Sequence, residues 1–141
     1  MKPLSTMRQA LYDQHLLGGI MAGDSWAGWR TLMIAAMGEA LNDDERVIFQ
    51  SLTGRSKEPL ERVEELWAVV GRRGGKTRTA AVLAVYMAAF VDHKANLSPG
   101  ERGLVLFFGT ESEASSSRVQ LLRRYLRFRA IALYSCEEHH R

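Results

Sequence analysis

The sequence predicts an α/β fold, a partial parallel sheet flanked by helices and preceded by an N-terminal helical segment. Three observations predict it. Leu66-Trp67-Ala68-Val69-Val70 is an apolar run with no polar alternation, the pattern of a strand covered on both faces. It ends in a glycine-rich basic turn, Gly71-Arg72-Arg73-Gly74-Gly75, and Lys76-Thr77 then opens an Ala- and Val-rich helical stretch. A second apolar run, Leu104 to Phe108, precedes another helical stretch, so strand, helix, strand and helix follow one another as a βαβα unit.

Taken in order, residues 4–17 are weakly amphipathic, with Leu4, Met7, Leu11 and Leu16 towards one side, and Gly18-Gly19 breaks the pattern. Asp24 or Ser25 can cap a helix from Trp26 to about Leu41, in which Trp26, Trp29, Leu32, Met33, Ala36, Met37 and Ala40 recur at intervals of three and four. Asn42-Asp43-Asp44 caps the next helix, Glu45 to about Leu52, and Gly54 closes it. Arg55 to Arg62 is polar, contains Pro59 and reads as a loop before the first strand.

Thr77 to about Val91 is apolar nearly all round and is expected to be deeply buried. Asp92 to Arg102 is a surface loop marked by Ser98-Pro99-Gly100. The second strand ends at Gly109-Thr110, and the last helix runs from about Glu111 towards Phe128, acids first and arginines last, the order the helix dipole favours. Arg129 to Arg141 carries no periodic signal. The organisation is therefore an N-terminal helical region (1–62), a βαβα core (63–128) and an irregular tail (129–141).

The chain has 141 residues, 46% hydrophobic and 25% charged, which suits one globular domain and argues against wholesale disorder. Its net charge is +3, and only Lys2, Lys57, Lys76 and Lys94 among the basic residues are lysines. Arginine makes forked contacts to phosphate, so a nucleotide or nucleic-acid partner is favoured. The single cysteine, Cys136, has no intramolecular partner, which fits a reducing cytoplasm. Arg8, Asp13 and His15 interrupt any secretion-signal core, and Ala80 to Val91 is roughly half the ~20 residues that span a bilayer, so no membrane association is expected.

The turn carries the chemistry. Gly71, Gly74 and Gly75 let backbone N–H groups face phosphate oxygens without side chains in the way. Lys76 would reach the β- and γ-phosphates, and Thr77 would place its hydroxyl on the Mg²⁺ that bridges them. The helix that starts here adds its positive dipole end. This is a P-loop NTPase-type arrangement binding ATP and Mg²⁺, except that the usual first glycine is Val70. A basic glycine-rich turn without a ligand, or an arginine–glycine contact to nucleic acid, are the competing readings.

The Gly71-Arg72-x-x-Gly75-Lys76-Thr77 pattern resembles the large terminase subunit of tailed bacteriophages and prophages, an ATP-driven DNA-packaging motor. Ser25 to Arg30, Thr53-Gly54-Arg55, Glu65 to Thr77 and Leu97 to Gly103 are similar to the same group, and the resemblance spans about residues 24–127. It implies the additional-strand class of P-loop fold, Lys76 and Thr77 as phosphate and magnesium residues, and Arg72 near the γ-phosphate as a catalytic charge. Arg73 can share that role, and the sequence does not separate the two. Phe49-Gln50 is a weaker match to residues near the adenine, and a packed aromatic beside a surface amide is the favoured reading. The implied partners are double-stranded DNA, the portal protein and the small terminase subunit, in the cytoplasm of a bacterial host.

Hydrolysis also needs an aspartate–glutamate pair after a later apolar strand, to hold Mg²⁺ and position water. No such pair lies downstream of the loop; Glu137-Glu138 follows an apolar stretch but has no aspartate. The terminase nuclease carboxylates are missing too. The chain is therefore expected to resemble the first part of an ATPase domain that binds ATP weakly and does not turn it over. A small P-loop kinase and a non-enzymatic, DNA-binding prophage remnant are the alternatives. His139-His140 beside Cys136 lacks the spaced pairs of a zinc module, and Arg118, Arg123, Arg124, Arg127 and Arg129 read as a solvated helix end before they read as a DNA contact. Trp26, Trp29 and Trp67 read as core anchors.

Overall fold

The structure, a computed structural model, describes residues 3–93 and 96–103 and the backbone of 132–135. The elements in order are α1 (Met7–Tyr12), a 3₁₀ turn (Asp24–Trp26), α2 (Ala27–Ala36), α3 (Asp43–Thr53), β1 (Trp67–Val70), α4 (Lys76–Ala89) and β2 (Ala132–Ser135). The strand expected at Leu104–Phe108 and the helix expected from Glu111 to Phe128 lie outside the described residues.

Helix α1 is short and held by caps. Thr6 and Gln9 form a reciprocal capping box, and the Glu39 carboxylate accepts from the N–H groups of Met7 and Arg8. Two of the orphan donors at this helix start are thus satisfied from 31 and 32 residues away. Residues 14–21 form turns rather than continuing the helix.

Helix α2 begins and ends differently from the sequence expectation. Neither Asp24 nor Ser25 caps it; they belong to the 3₁₀ turn, and Trp26 occupies the cap position with no side-chain hydrogen bond. The helix stops at Ala36 instead of continuing to Leu41. The cause is Gly38, whose φ of +74° leaves the right-handed region and whose α-carbon is overlain by the backbone of Glu61 and Arg62. Val63 N–H donates to the Ala36 carbonyl at 2.9 Å, so the incoming segment takes over a helix-end acceptor.

Helix α3 follows the sequence reading closely. Asn42 caps it reciprocally with Glu45, three acids lie in its first turn, and Gly54 closes it in the left-handed conformation at φ +72°. Glu45 also receives both Nη groups of Arg8 at 2.7 Å. Burial pushes the Glu45 carboxyl upward, but the Arg8 and Asn42 hydrogen bonds and the charges of Arg8 and Arg30 outweigh it, and the net direction is downward.

The core is helical. Met7, Ala10 and Leu11 of α1, Met33, Ile34 and Ala35 of α2, Phe49 of α3, and Val82, Leu83 and Tyr86 of α4 pack together with Leu17, Met21 and Leu41. Fully burying one such large side chain contributes about 1.5–3 kcal/mol, so this cluster is the main source of stability among the described residues. On α4 the buried residues are Thr79, Val82, Leu83 and Tyr86, one stripe at helical spacing, while Val85 is exposed. The expectation that α4 is buried all round is therefore corrected to burial on one face.

β1 pairs in parallel with β2, with Trp67 opposite Ala132 and Val70 opposite Ser135. The two strands thus end at the same edge, where β1 leads into the glycine turn. Two expectations change here. Ala132–Ser135, read as irregular tail, is a strand, and β1 is not covered on both faces: Trp67 is 61% and Val69 82% exposed. Ala68 and Val70, on the opposite side of β1, are half-buried.

Glu58 ties the 55–62 loop to α3. It accepts from Leu41 N–H at 3.0 Å and from the Arg46 guanidinium at 3.0 and 3.2 Å. The Arg46 bonds, then the Leu41 N–H, hold its carboxyl at about 2, below the ordinary 4.5. A carboxylate depressed in the folded state contributes stability that is complete above pH 4.5 and lost as pH falls through about 2. Thermal melts across that window are expected to show the native protein losing stability more steeply than Glu58→Gln; parallel curves would disprove the assignment.

Candidate phosphate-binding site

The glycine turn runs directly from β1 into α4. Gly71 leaves the strand, Arg72 and Arg73 form the turn, and Gly75 is the residue before the first helical position, Lys76. Gly74 N–H donates to the Gly71 carbonyl at 3.2 Å, closing the turn tightly. A Cβ on Gly74 would collide with Cγ1 of Val70, so the residue that replaces the usual first glycine is also the one that packs against the turn.

Two backbone positions adopt left-handed geometry, Arg73 at φ +61° and Gly75 at φ +82°. Arg73 is the only such non-glycine residue among the described positions, and this conformation costs it roughly 1–2 kcal/mol. Strain of that kind persists where surroundings impose it. Here they include Trp29, whose Nε1–H donates to the Gly74 carbonyl at 2.8 Å, and Trp26, whose ring lies against Gly75. A trans peptide points its C=O and N–H in opposite directions, so anchoring the Gly74 carbonyl on Trp29 turns the Gly75 N–H away from that indole.

Gly75 supplies no side-chain cap, and the N–H groups of Lys76, Thr77 and Arg78 lie in the first turn, where no intrahelical acceptor exists. Thr79 N–H is the first to be satisfied within the helix, by the Gly75 carbonyl at 3.0 Å. A shallow, solvent-open cavity of about 350 Å³ lies at this helix end, lined by Trp26, Arg73, Gly74, Gly75, Lys76, Thr77 and Arg78. Its walls hold three cationic side chains and no acid, and the first turn of α4 contains no acid either. Donors, positive charge and a helix N-terminus converge, the combination that receives a phosphate-sized anion.

Of the residues singled out in the sequence, Arg73, Gly74, Gly75, Lys76 and Thr77 share this cavity. Gly71 and Arg72 lie in the same turn without lining it; Arg72 is exposed. Arg78, Trp26 and Trp29 were missed as site residues. Trp26 and Trp29 are half-buried and pack on the helical core, as expected, but they also wall and anchor the turn. Trp67 is not a core anchor; it is exposed and its Nε1–H donates to Glu65 at 3.2 Å. Phe49 is buried in the core and Gln50 is exposed, a packed aromatic beside a surface amide.

The C-terminal arginines, Glu137-Glu138 and His139-His140 lie outside the described residues. Among the described residues no group of three or more His, Cys, Asp or Glu is arranged to hold a metal ion. For Mg²⁺ the glycine turn would offer the exposed Thr77 hydroxyl, which fits a cation that keeps most of its waters and binds mainly through ligand phosphates. Among the described residues no helix is long and apolar enough to cross a membrane. The chain matches no protein-family profile, no curated protein and no solved structure.

Proposed function

We propose that this chain binds ATP with Mg²⁺ at the Gly71–Thr77 turn and belongs to the ATPase part of a DNA-packaging motor of the large-terminase type. The observation that carries the reading is the acid-free cavity at the start of α4, walled by Arg73, Lys76, Thr77 and Arg78. Lys76 would bind the β- and γ-phosphates as a point charge, Thr77 would hold Mg²⁺ through its hydroxyl, and the Gly74–Gly75 backbone and the helix dipole would take the remaining phosphate charge. Magnesium, when bound, neutralises phosphate charge and orients the γ-phosphoryl group. Arg73 and Arg72 supply positive charge beside that group, with Arg73 the nearer to the cavity.

Turnover needs an Asp-Glu pair to hold Mg²⁺ and position water, and residues 78–141 contain none, so binding without turnover is the expected behaviour of these residues. The motor's double-stranded DNA, portal protein and small terminase subunit are the partners that go with the reading, in the cytoplasm of a bacterial host. Calorimetric titration with Mg-ATP tests it. A lysine–phosphate hydrogen bond is a charged one, worth about 1.5–3 kcal/mol, so Lys76→Ala is expected to weaken binding about 10- to 100-fold. Equal affinity in Lys76→Ala, or Lys76-dependent turnover by the native chain, would sink the respective half of the proposal. DNA binding that ignores both ATP and Lys76 would favour the non-enzymatic remnant instead.

A further inference from the structure

Arg78 is the third residue of α4, and nothing in the phosphate-loop pattern requires an arginine there. Its guanidinium carbon lies 5.0 Å from the centroid of the Trp26 ring, and its Nη1 reaches the Ile20 carbonyl at 3.5 Å. Both holds are weak. The carbonyl contact is at the outer limit of a hydrogen bond, and the cation–π contact belongs to an exposed side chain.

The same two residues, Trp26 and Arg78, line the cavity together with Lys76 and Thr77. A guanidinium presents a planar fork that matches two phosphate oxygens, and a charge-assisted bond is roughly twice as strong as a neutral one. A phosphate seated at the start of α4 therefore outbids a carbonyl at 3.5 Å and an exposed ring for the Arg78 fork. No acid in the cavity wall competes for it.

Resting on the reading of this turn as a triphosphate site, we propose that Arg78 is a phosphate-binding residue. It is held against Trp26 and leaves that ring for a phosphate group of the ligand. Lys76 and Arg73 then supply point charge and loop charge, and Arg78 adds forked recognition. Trp26 reports the event, because its indole face is uncovered when the guanidinium moves.

Calorimetric titration of the full chain with Mg-ATP and, separately, with inorganic tripolyphosphate tests the assignment. Arg78→Ala is expected to weaken both probes about tenfold, and Arg78→Lys to recover part of the loss by restoring charge without the fork. Tripolyphosphate is expected to change the tryptophan emission of the native chain but not that of Trp26→Phe. Arg78 is exposed, so melting temperatures of the two Arg78 variants should match the native one and show that folding is intact. If Arg78→Ala binds both probes within about twofold of native while Lys76→Ala is weakened, Arg78 is not a phosphate ligand and the triphosphate site stands. A loss confined to Mg-ATP would place Arg78 on the nucleoside and overturn the assignment. Native-like binding by both Lys76→Ala and Arg78→Ala, or none by the native chain, would remove the triphosphate reading and this one with it.

Discussion

Gly75→Ala is expected to abolish measurable triphosphate binding while leaving a folded protein. Gly75 sits at φ +82°, where any other residue is strained, and an added Cβ would stand 2.7 and 2.8 Å from two Trp26 ring carbons and 3.3 Å from Trp29 Nε1. Neither indole can yield freely, because both pack on the helical core. The backbone penalty alone is about 1–3 kcal/mol, and the ring contacts add to it unless Trp26 shifts. The strain is relieved most directly by a shift of the loop, and Gly74 then loses the Trp29 hydrogen bond that fixes the orientation of its peptide. That shift displaces the first-turn N–H groups, and each charge-assisted hydrogen bond to phosphate lost is worth about 1.5–3 kcal/mol, or roughly 10- to 100-fold in affinity. Calorimetry with Mg-ATP and a thermal melt on the same sample check both halves. Native affinity with a lowered melting temperature would show that the turn's shape does not set binding; an unchanged melting temperature would show that the left-handed geometry is not imposed.

The parts of this arrangement legible in the sequence are those governed by neighbours in the chain. The Asn42–Glu45 capping box, the Gly54 closure and the start of α4 at Lys76 depend on side chains a few residues apart, and the pattern of residue types suffices to find them. The parts that were missed depend on distant contacts. Trp29 meets Gly74 across 45 residues and Arg78 meets Ile20 across 58, and no local periodicity distinguishes such a tryptophan or arginine from a core anchor or a solvated charge. The same limit explains β1. A run such as Leu66–Val70 is apolar whether one face or two are covered, so its composition could not announce that Trp67 and Val69 are exposed. Ala132–Ser135 is only four residues long, too short for a period of two to be read, yet its backbone pairs with all four residues of β1. By matched position the sequence favours Arg72 for the charge beside the γ-phosphate, with Arg73 able to share it; the turn brings Arg73 to the cavity wall and leaves Arg72 outside it.

Gly38→Ala is expected to be the most destabilising small substitution in the N-terminal region. The residue terminates α2 in the left-handed conformation at φ +74°, and an added methyl would overlap the Glu61 carbonyl carbon and approach Arg62 N and Glu61 Cα to 2.7 Å each. These are backbone atoms, so no side-chain rotation relieves the overlap. Strain at φ accounts for about 1–3 kcal/mol, and displacing the 61–63 segment also breaks the Val63-to-Ala36 hydrogen bond, a further 0.5–1.5 kcal/mol or so. A total near 3 kcal/mol is a large share of the roughly 5–15 kcal/mol that a domain holds in reserve. The effect reaches the candidate site, because the segment leaving Val63 leads within a few residues into β1 and the glycine turn. Denaturant unfolding should therefore show a fall in midpoint with an unchanged slope, and triphosphate affinity should drop in parallel. Gly54→Ala is the matched control: it has nearly the same φ, +72°, but open space around the added Cβ, so it should lose only the strain component. Equal losses in the two variants would show that the contact with residues 61–62 contributes nothing to holding the turn in place.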